Sequence, residues 1–153
     1  MRTLAPVLLA TILALGAVAC GGNDAKERNA YAAALNRAQS GFASRFRTLS
    51  ARISGATSPS EGQRALQGFQ HAVDGVLARL RSIHAPPDLR PLHRRLIGQM
   101  RQYGREIAKA RAAFRTRSPA RILAAQNALV RATTAISARI NRTVAAINRE
   151  LRS

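Results

Sequence analysis

The last segment of the chain, residues 118–151, has the sequence SPARILAAQNALVRATTAISARINRTVAAINREL. Its apolar residues recur in alternating steps of three and four with polar residues between them, which predicts a helix with one buried stripe. Gln126 and Thr133 interrupt the stripe, and they either lie at its edge or form a buried polar pocket. The whole stripe comprises Ile122, Gln126, Leu129, Thr133, Ile136, Ile140, Val144, Ile147 and Leu151.

Three earlier segments, within residues 31–53, 66–83 and 89–114, carry apolar stripes of the same helical period. Capping signals separate them. Ser58-Pro59-Ser60-Glu61 supplies a capping serine, a proline at the first helical position and a glutamate three residues after the cap, and Ser118-Pro119 repeats the first two of these. Pro86-Pro87 interrupts the chain between the second and third stripes, because neither proline can continue a helix.

These boundaries predict four helices at about 25–54, 59–84, 88–116 and 119–151. Short loops between long helices favour antiparallel neighbours, so we expect an all-α, up-down-up-down antiparallel four-helix bundle. The composition agrees: Trp is absent and aromatic residues are 4% of 153 residues, a length that suits one domain.

The first 24 residues differ from the rest. A short basic start at Arg2 precedes an apolar run over residues 4–19, which is shorter than the roughly 20 residues of a membrane-spanning helix and typical of a signal peptide. The run ends in Ala17-Val18-Ala19-Cys20, which resembles the bacterial lipobox. Cys20 is the chain's one cysteine, so an internal disulfide is excluded.

The lipobox resemblance implies that the signal is cleaved between Ala19 and Cys20 and that Cys20 becomes the lipidated, palmitate-bearing first residue. We therefore expect a signal peptide at 1–19, a lipidated cysteine and tether at 20–24, and the bundle at 25–153. An ordinary signal peptide with an incidental cysteine, or an uncleaved anchor helix, remains open.

No residue pattern predicts catalysis or a cofactor. His71 and Asp74 share a helical face, and His84 and His93 flank the proline pair, but a carboxylate-bridged metal site in a bundle would use Glu-x-x-His motifs, which the chain lacks. The cysteine is assigned to the lipid anchor, so it is not available as a nucleophile. We expect no enzyme activity, no metal and no cofactor.

Arginine is the one chemical group present in excess. The 25 Lys+Arg residues against 7 Asp+Glu give a net charge of +18, and such a chain attracts polyanions. Like-charge pairs at four-residue spacing destabilise a helix, and an anionic surface would relieve that repulsion. A solvated coat set by base composition would give the same counts. The candidate anion-binding residues are Arg90, Arg94, Arg101, Arg105, Arg131, Arg142 and Arg149.

The mature chain also resembles a known group of proteins. Its lipobox, the Tyr31-x-x-x-Leu35-Asn36-x-Ala38-Gln39 opening and the Ile83-x-x-Pro86-Pro87-x-Leu89-x-x-Leu92-His93-x-x-Leu96 junction are similar to those of uncharacterised small helical lipoproteins from GC-rich Gram-positive, actinobacterial-type bacteria. The resemblance implies a place in the cell envelope, on the outer face of the cell membrane, and carries no catalytic residue.

Three functions are compatible with these features. The first is a non-enzymatic, membrane-anchored monomer that binds lipid head groups, a cell-wall polyanion or an acidic protein. The second is nucleic-acid binding, against which the export signal and the scarcity of stacking aromatics argue. The third is a small-molecule carrier or sensor with a core pocket between Tyr31, Tyr103 and Gln126.

Overall fold

The computed structural model describes residues 22–54, 58–116 and 118–153. They form four helices, α1 (Asn23–Ser54), α2 (Pro59–Ser82), α3 (Arg90–Phe114) and α4 (Pro119–Glu150), and no strand occurs among these residues. The predicted all-α four-helix bundle is thereby confirmed. The predicted signal peptide and Cys20 lie outside the described residues.

The helix boundaries follow from local hydrogen bonding. The Ser58 side chain accepts from the Glu61 amide and the Glu61 carboxylate accepts from the Ser58 amide, a complete capping box at the start of α2. The Ser118 side chain accepts from the Arg121 amide at the start of α4. The amides of Leu89 and Arg90 both donate to the Pro86 carbonyl, so a turn precedes α3 and the helix starts two residues after the predicted position.

Consecutive helices pack against each other in antiparallel fashion, α1 on α2, α2 on α3 and α3 on α4. Within the described residues, the backbones of α1 and α4 do not approach as closely as these pairs do. One core joins all four helices, and its largest fully buried side chains are Tyr31, Leu35, Val73, Leu89, Ile107, Ile136, Val144 and Ile147.

The two ends of the bundle differ in how well they are packed. We call the end that holds the start of α1 and the end of α4 the closed end, and the opposite end the open end. The exposure of every seventh residue on α4 shows this difference along the series Leu123, Val130, Ser137 and Val144. Leu123 is 60% exposed and Val130 42% exposed, whereas Ser137 is half-buried and Val144 is 1% exposed.

This series lies on the flank of α4 that faces away from α3. The opposite flank makes the hydrogen bonds to α3, from Gln99 Nε2 to Thr143 Oγ1 at 3.0 Å and from Arg139 to Gln102 Oε1 at 3.2 Å. In the first half of α4, the flank that carries Leu123 and Val130 is therefore left partly uncovered.

The two polar interruptions of the α4 stripe lie at its edge. Gln126 is exposed, and the half-buried Thr133 donates its hydroxyl to the Leu129 carbonyl of its own helix at 2.8 Å. Neither side chain contributes to a polar pocket in the core.

We predict unequal effects for one substitution made at two valines of this series. Val144→Ala removes two buried methyl groups and should lower the free energy of unfolding by about 2 kcal/mol. Val130→Ala, the matched control towards the open end, should cost less than about 0.5 kcal/mol because the side chain is already partly in water. Urea denaturation of the two variants would measure both, and equal losses would contradict the difference in packing.

Candidate anion-binding surfaces

Four of the predicted arginines form a line along α3, which we call the α3 row: Arg90, Arg94, Arg101 and Arg105. Their spacing of four, seven and four residues keeps them within about 60° around the helix, and all four are exposed. Arg90 Nε donates to the Ala85 carbonyl at 3.3 Å, which fixes the first member of the row beside the turn before α3.

The remaining three, Arg131, Arg142 and Arg149, form the α4 row. They lie within about 20° of one line and are all exposed. Arg131 and Arg149 are each nine positions from the buried Ile140, which places them about 180° around the helix from the core. Each row thus faces outward from its own helix, and the two rows lie on different edges of the bundle.

Neither row is compensated by acidic side chains. The ion pairs formed among the described residues are Arg28 with Asp88, Lys109 with Glu106 at 2.9 Å and, when the histidine is protonated, His84 with Glu27 at 3.9 Å. None of these includes a member of either row. The sequence of α4 holds no acidic residue before Glu150. The charge of both rows is therefore directed at solvent.

Asp88 has a structural role that the sequence did not predict. It does not cap α3, because Leu89 is the N-cap residue of that helix and makes no side-chain capping bond. The Asp88 carboxylate instead accepts from Arg28 of α1, and this hydrogen bond holds the pKa of Asp88 below its usual value. The contact ties the start of α1 to the turn between α2 and α3.

The residues considered for metal binding do not form a cluster. His71, Asp74 and His84 are exposed, and Asp74 Oδ1 accepts from Gln70 Nε2 at 3.1 Å. Across residues 22–54, 58–116 and 118–153, no group of three His, Cys, Asp or Glu side chains is arranged to hold a metal ion.

His93 is the buried titratable group that sequence analysis left unassigned. Its Nε2 lies 2.9 Å from the Leu80 carbonyl and its Nδ1 lies 3.2 Å from the Tyr31 hydroxyl. A carbonyl can only accept, so Nε2 carries the proton, and the hydroxyl of Tyr31 then donates to Nδ1 of the neutral ring. Burial lowers the pKa of His93, outweighing the Leu80 hydrogen bond that raises it.

The three residues proposed for a core ligand pocket do not share one. Tyr31 packs edge-on against His93, whereas Tyr103 packs edge-on against Phe42, eleven residues further along α1. Gln126 is exposed. Burial raises the pKa of Tyr31 to about 12 and raises that of Tyr103 as well, so both hydroxyls stay protonated.

Comparison with known proteins gave no relative: no family model, no curated protein sequence and no solved structure matches the chain. None of the helices in the described part of the chain is long and apolar enough to cross a membrane.

We predict that the free energy of unfolding falls as the pH drops from 7.5 to 5.5. The pKa of His93 is lower in the folded state than its value of about 6.5 in the unfolded chain. The unfolded state therefore binds the proton first, and stability is lost from about pH 6.5 downward until the folded state is protonated as well. Denaturant titrations at fixed salt across this range would measure the loss.

Three variants separate His93 from the other histidines. His93→Gln should remove the pH dependence in this range, whereas the exposed control His71→Gln should retain it. Tyr31→Phe removes a hydrogen bond that favours the neutral ring, so it should raise the pKa of His93 in an NMR titration and lower stability by about 1 kcal/mol at pH 7.5. An unchanged slope in His93→Gln would exclude this residue as the cause.

Proposed function

We propose that this chain is a non-enzymatic lipoprotein, anchored by Cys20 to the outer face of the cell membrane, whose two arginine rows bind an anionic partner. The observation that carries the proposal is that seven arginines are exposed in two straight rows without acidic counterparts among the described residues. A polyanion laid along either row would replace repulsion between neighbouring arginines with attraction.

The length of the rows indicates the shape of the partner. Arg90 and Arg105 are 15 residues apart, about 22 Å along α3, and Arg131 and Arg149 are 18 apart, about 27 Å along α4. A row of this length suits a repeating anion, such as a cell-wall polymer or the head groups of a membrane. The planar guanidinium forms paired hydrogen bonds with phosphate or carboxylate oxygens, so either group would serve.

The anchor would set which arginines meet lipid first. Cys20 is two residues from Gly22, which starts the described chain at the closed end, so a lipid on Cys20 would hold the closed end within about 7 Å of its own attachment point. Arg90, Arg94 and Arg149 lie towards that end, whereas Arg105 and Arg131 lie further from it. Lipid chains together with a basic patch bind a membrane far more stably than one chain alone.

Binding by the isolated bundle tests the role of the arginines. The chain from Gly21 onward keeps every described core residue, and we expect it to co-sediment with vesicles containing phosphatidylglycerol at low salt and not with neutral vesicles. Raising salt should weaken binding, because screening acts on exposed charges. Replacing Arg94, Arg101 and Arg105 together with Gln should weaken binding severalfold, and replacing all three with Lys should retain most of it.

The vesicle co-sedimentation assay also distinguishes a lipid surface from other anionic partners. Substituting Gln for Arg131, Arg142 and Arg149 shows whether the α4 row acts with the α3 row or alone. Failure of the unmodified bundle to bind anionic vesicles at low salt would exclude a lipid surface, and soluble anionic polymers would then be assayed in the same way. Equal binding to duplex DNA and to vesicles would favour the nucleic-acid alternative.

The anchor has a separate test. Cells expressing the chain with Cys20 intact should incorporate a labelled fatty acid into a product that remains in the membrane fraction. Cys20→Ala should abolish the label and release the bundle from that fraction in high salt, which removes residual electrostatic binding. A Cys20→Ala product that stays membrane-bound in high salt would indicate an uncleaved anchor helix.

A further inference from the structure

Two arginines outside both rows are placed reciprocally where α1 crosses α2. Each helix has the sequence Gly-x-x-x-Arg at this point, Gly41 to Arg45 on α1 and Gly75 to Arg79 on α2. Because the helices are antiparallel, the arginine of each lies over the glycine of the other. We call these four residues the arginine–glycine crossing.

The glycines allow this close approach. A Cβ built on Gly41 would lie 2.8 Å from Nη1 of Arg79, closer than a real Cβ can be. A Cβ on Gly75 would lie 3.6 Å from Nη1 of Arg45, an ordinary van der Waals contact. The Arg79 guanidinium therefore lies directly on the backbone of α1, and only a residue without a side chain permits that position.

The two guanidinium groups border one shallow crevice. Both arginines are exposed, and Phe42 and Val76 line the same crevice. Gly41 and Gly75 mark where the two guanidinium groups lie, and each is four residues, about 6 Å along the axis, from the arginine of its own helix. This arrangement places the N–H donors of both guanidinium groups at the border of one open crevice.

Nothing anionic compensates the pair. Neither Arg45 nor Arg79 forms an ion pair with any residue of the described structure. The nearest acidic residue on α1, Glu27, is 14 residues before Gly41, about 21 Å along the axis. Asp74 precedes Gly75 but lies about 100° around α2 and accepts from Gln70.

We infer that the arginine–glycine crossing is a binding site for one phosphate group, free or esterified, held between the guanidiniums of Arg45 and Arg79. A tetrahedral phosphate offers oxygens to two forks at once, and charge-assisted bonds of this kind are short and strong. The site is distinct from the α3 and α4 rows, since it lies on α1 and α2 and takes one compact anion.

The two glycines supply a matched pair of test variants. Gly41→Ala should displace the Arg79 guanidinium while improving helix propensity, so phosphate binding should fall as thermal stability rises. Gly75→Ala brings the same gain in propensity but leaves Arg45 at contact distance, so binding should be retained. A loss of binding in a more stable protein cannot be attributed to unfolding.

The experiment is an NMR titration of the full-length chain in a non-ionic detergent with sodium phosphate, against sodium chloride at the same ionic strength. The amide shifts of Gly41 and Gly75 report binding. Arg45→Gln and Arg79→Gln should each weaken the phosphate Kd about tenfold or more, as expected for loss of a charge-assisted pair. The exposed control Arg47→Gln, on another face of α1, should stay within about twofold.

Each outcome of the titration either supports or excludes the phosphate site. A response to phosphate that is lost in Arg45→Gln and kept in Arg47→Gln supports a free phosphate ligand. The same contrast seen only with phosphatidylglycerol vesicles supports a lipid head group. Equal shifts with chloride, equal losses in Arg45→Gln and Arg47→Gln, or full binding in Gly41→Ala would overturn the site. Gln variants of the α3 row should leave phosphate binding unchanged, so this inference and the proposed function can fail separately.

Discussion

Burial of one apolar stripe on each helix opposes the mutual repulsion of 25 basic residues, and the rest of the structure depends on that balance. Because the core accepts aliphatic and aromatic side chains, nearly every arginine is left on the outer surface of its helix. Repulsion between these arginines weakens the helices, so packing rather than local helix stability must hold the bundle together. The outward-facing rows are therefore a direct consequence of how the core is built.

Packing is concentrated at the closed end, and polar contacts reinforce it there. His93 joins α3 to the last turn of α2 through the Leu80 carbonyl and to α1 through Tyr31. The ion pair of Arg28 with Asp88 adds a second link between α1 and the α2–α3 turn. A network of this kind specifies one arrangement of helices, because any shift would leave a buried donor or acceptor unpaired. Towards the open end, α4 carries exposed aliphatic side chains instead, so the packing of α4 there is correspondingly looser.

The sequence predicted the positions of the four helices much better than the way in which the helices pack against each other. The three- and four-residue periods, the Ser58 capping box and the proline pair located all four helices within about two residues at each end, because these signals are local. The register between helices is not local, so no pattern showed that Gly41 lies under Arg79 or that His93 reaches Leu80. The repeated Gly-x-x-x-Arg was visible in the sequence. It acquires meaning only when antiparallel packing sets one copy against the other.

Register also explains why the arginines are not all equivalent. Arginines in the α3 and α4 rows extend from helices into water over more than 20 Å, so a long flexible anion can be accommodated. At the arginine–glycine crossing, Arg45 and Arg79 border one crevice between two helices, and a single methyl group on Gly41 would displace Arg79. Two guanidiniums at one crevice suit a single compact anion, whereas a row of separate arginines suits an extended one, so the same residue type serves two kinds of anion. A glycine substitution leaves the net charge unchanged, so its effect on binding reports the geometry of the crossing alone. An arginine substitution changes the geometry and the general electrostatic attraction together.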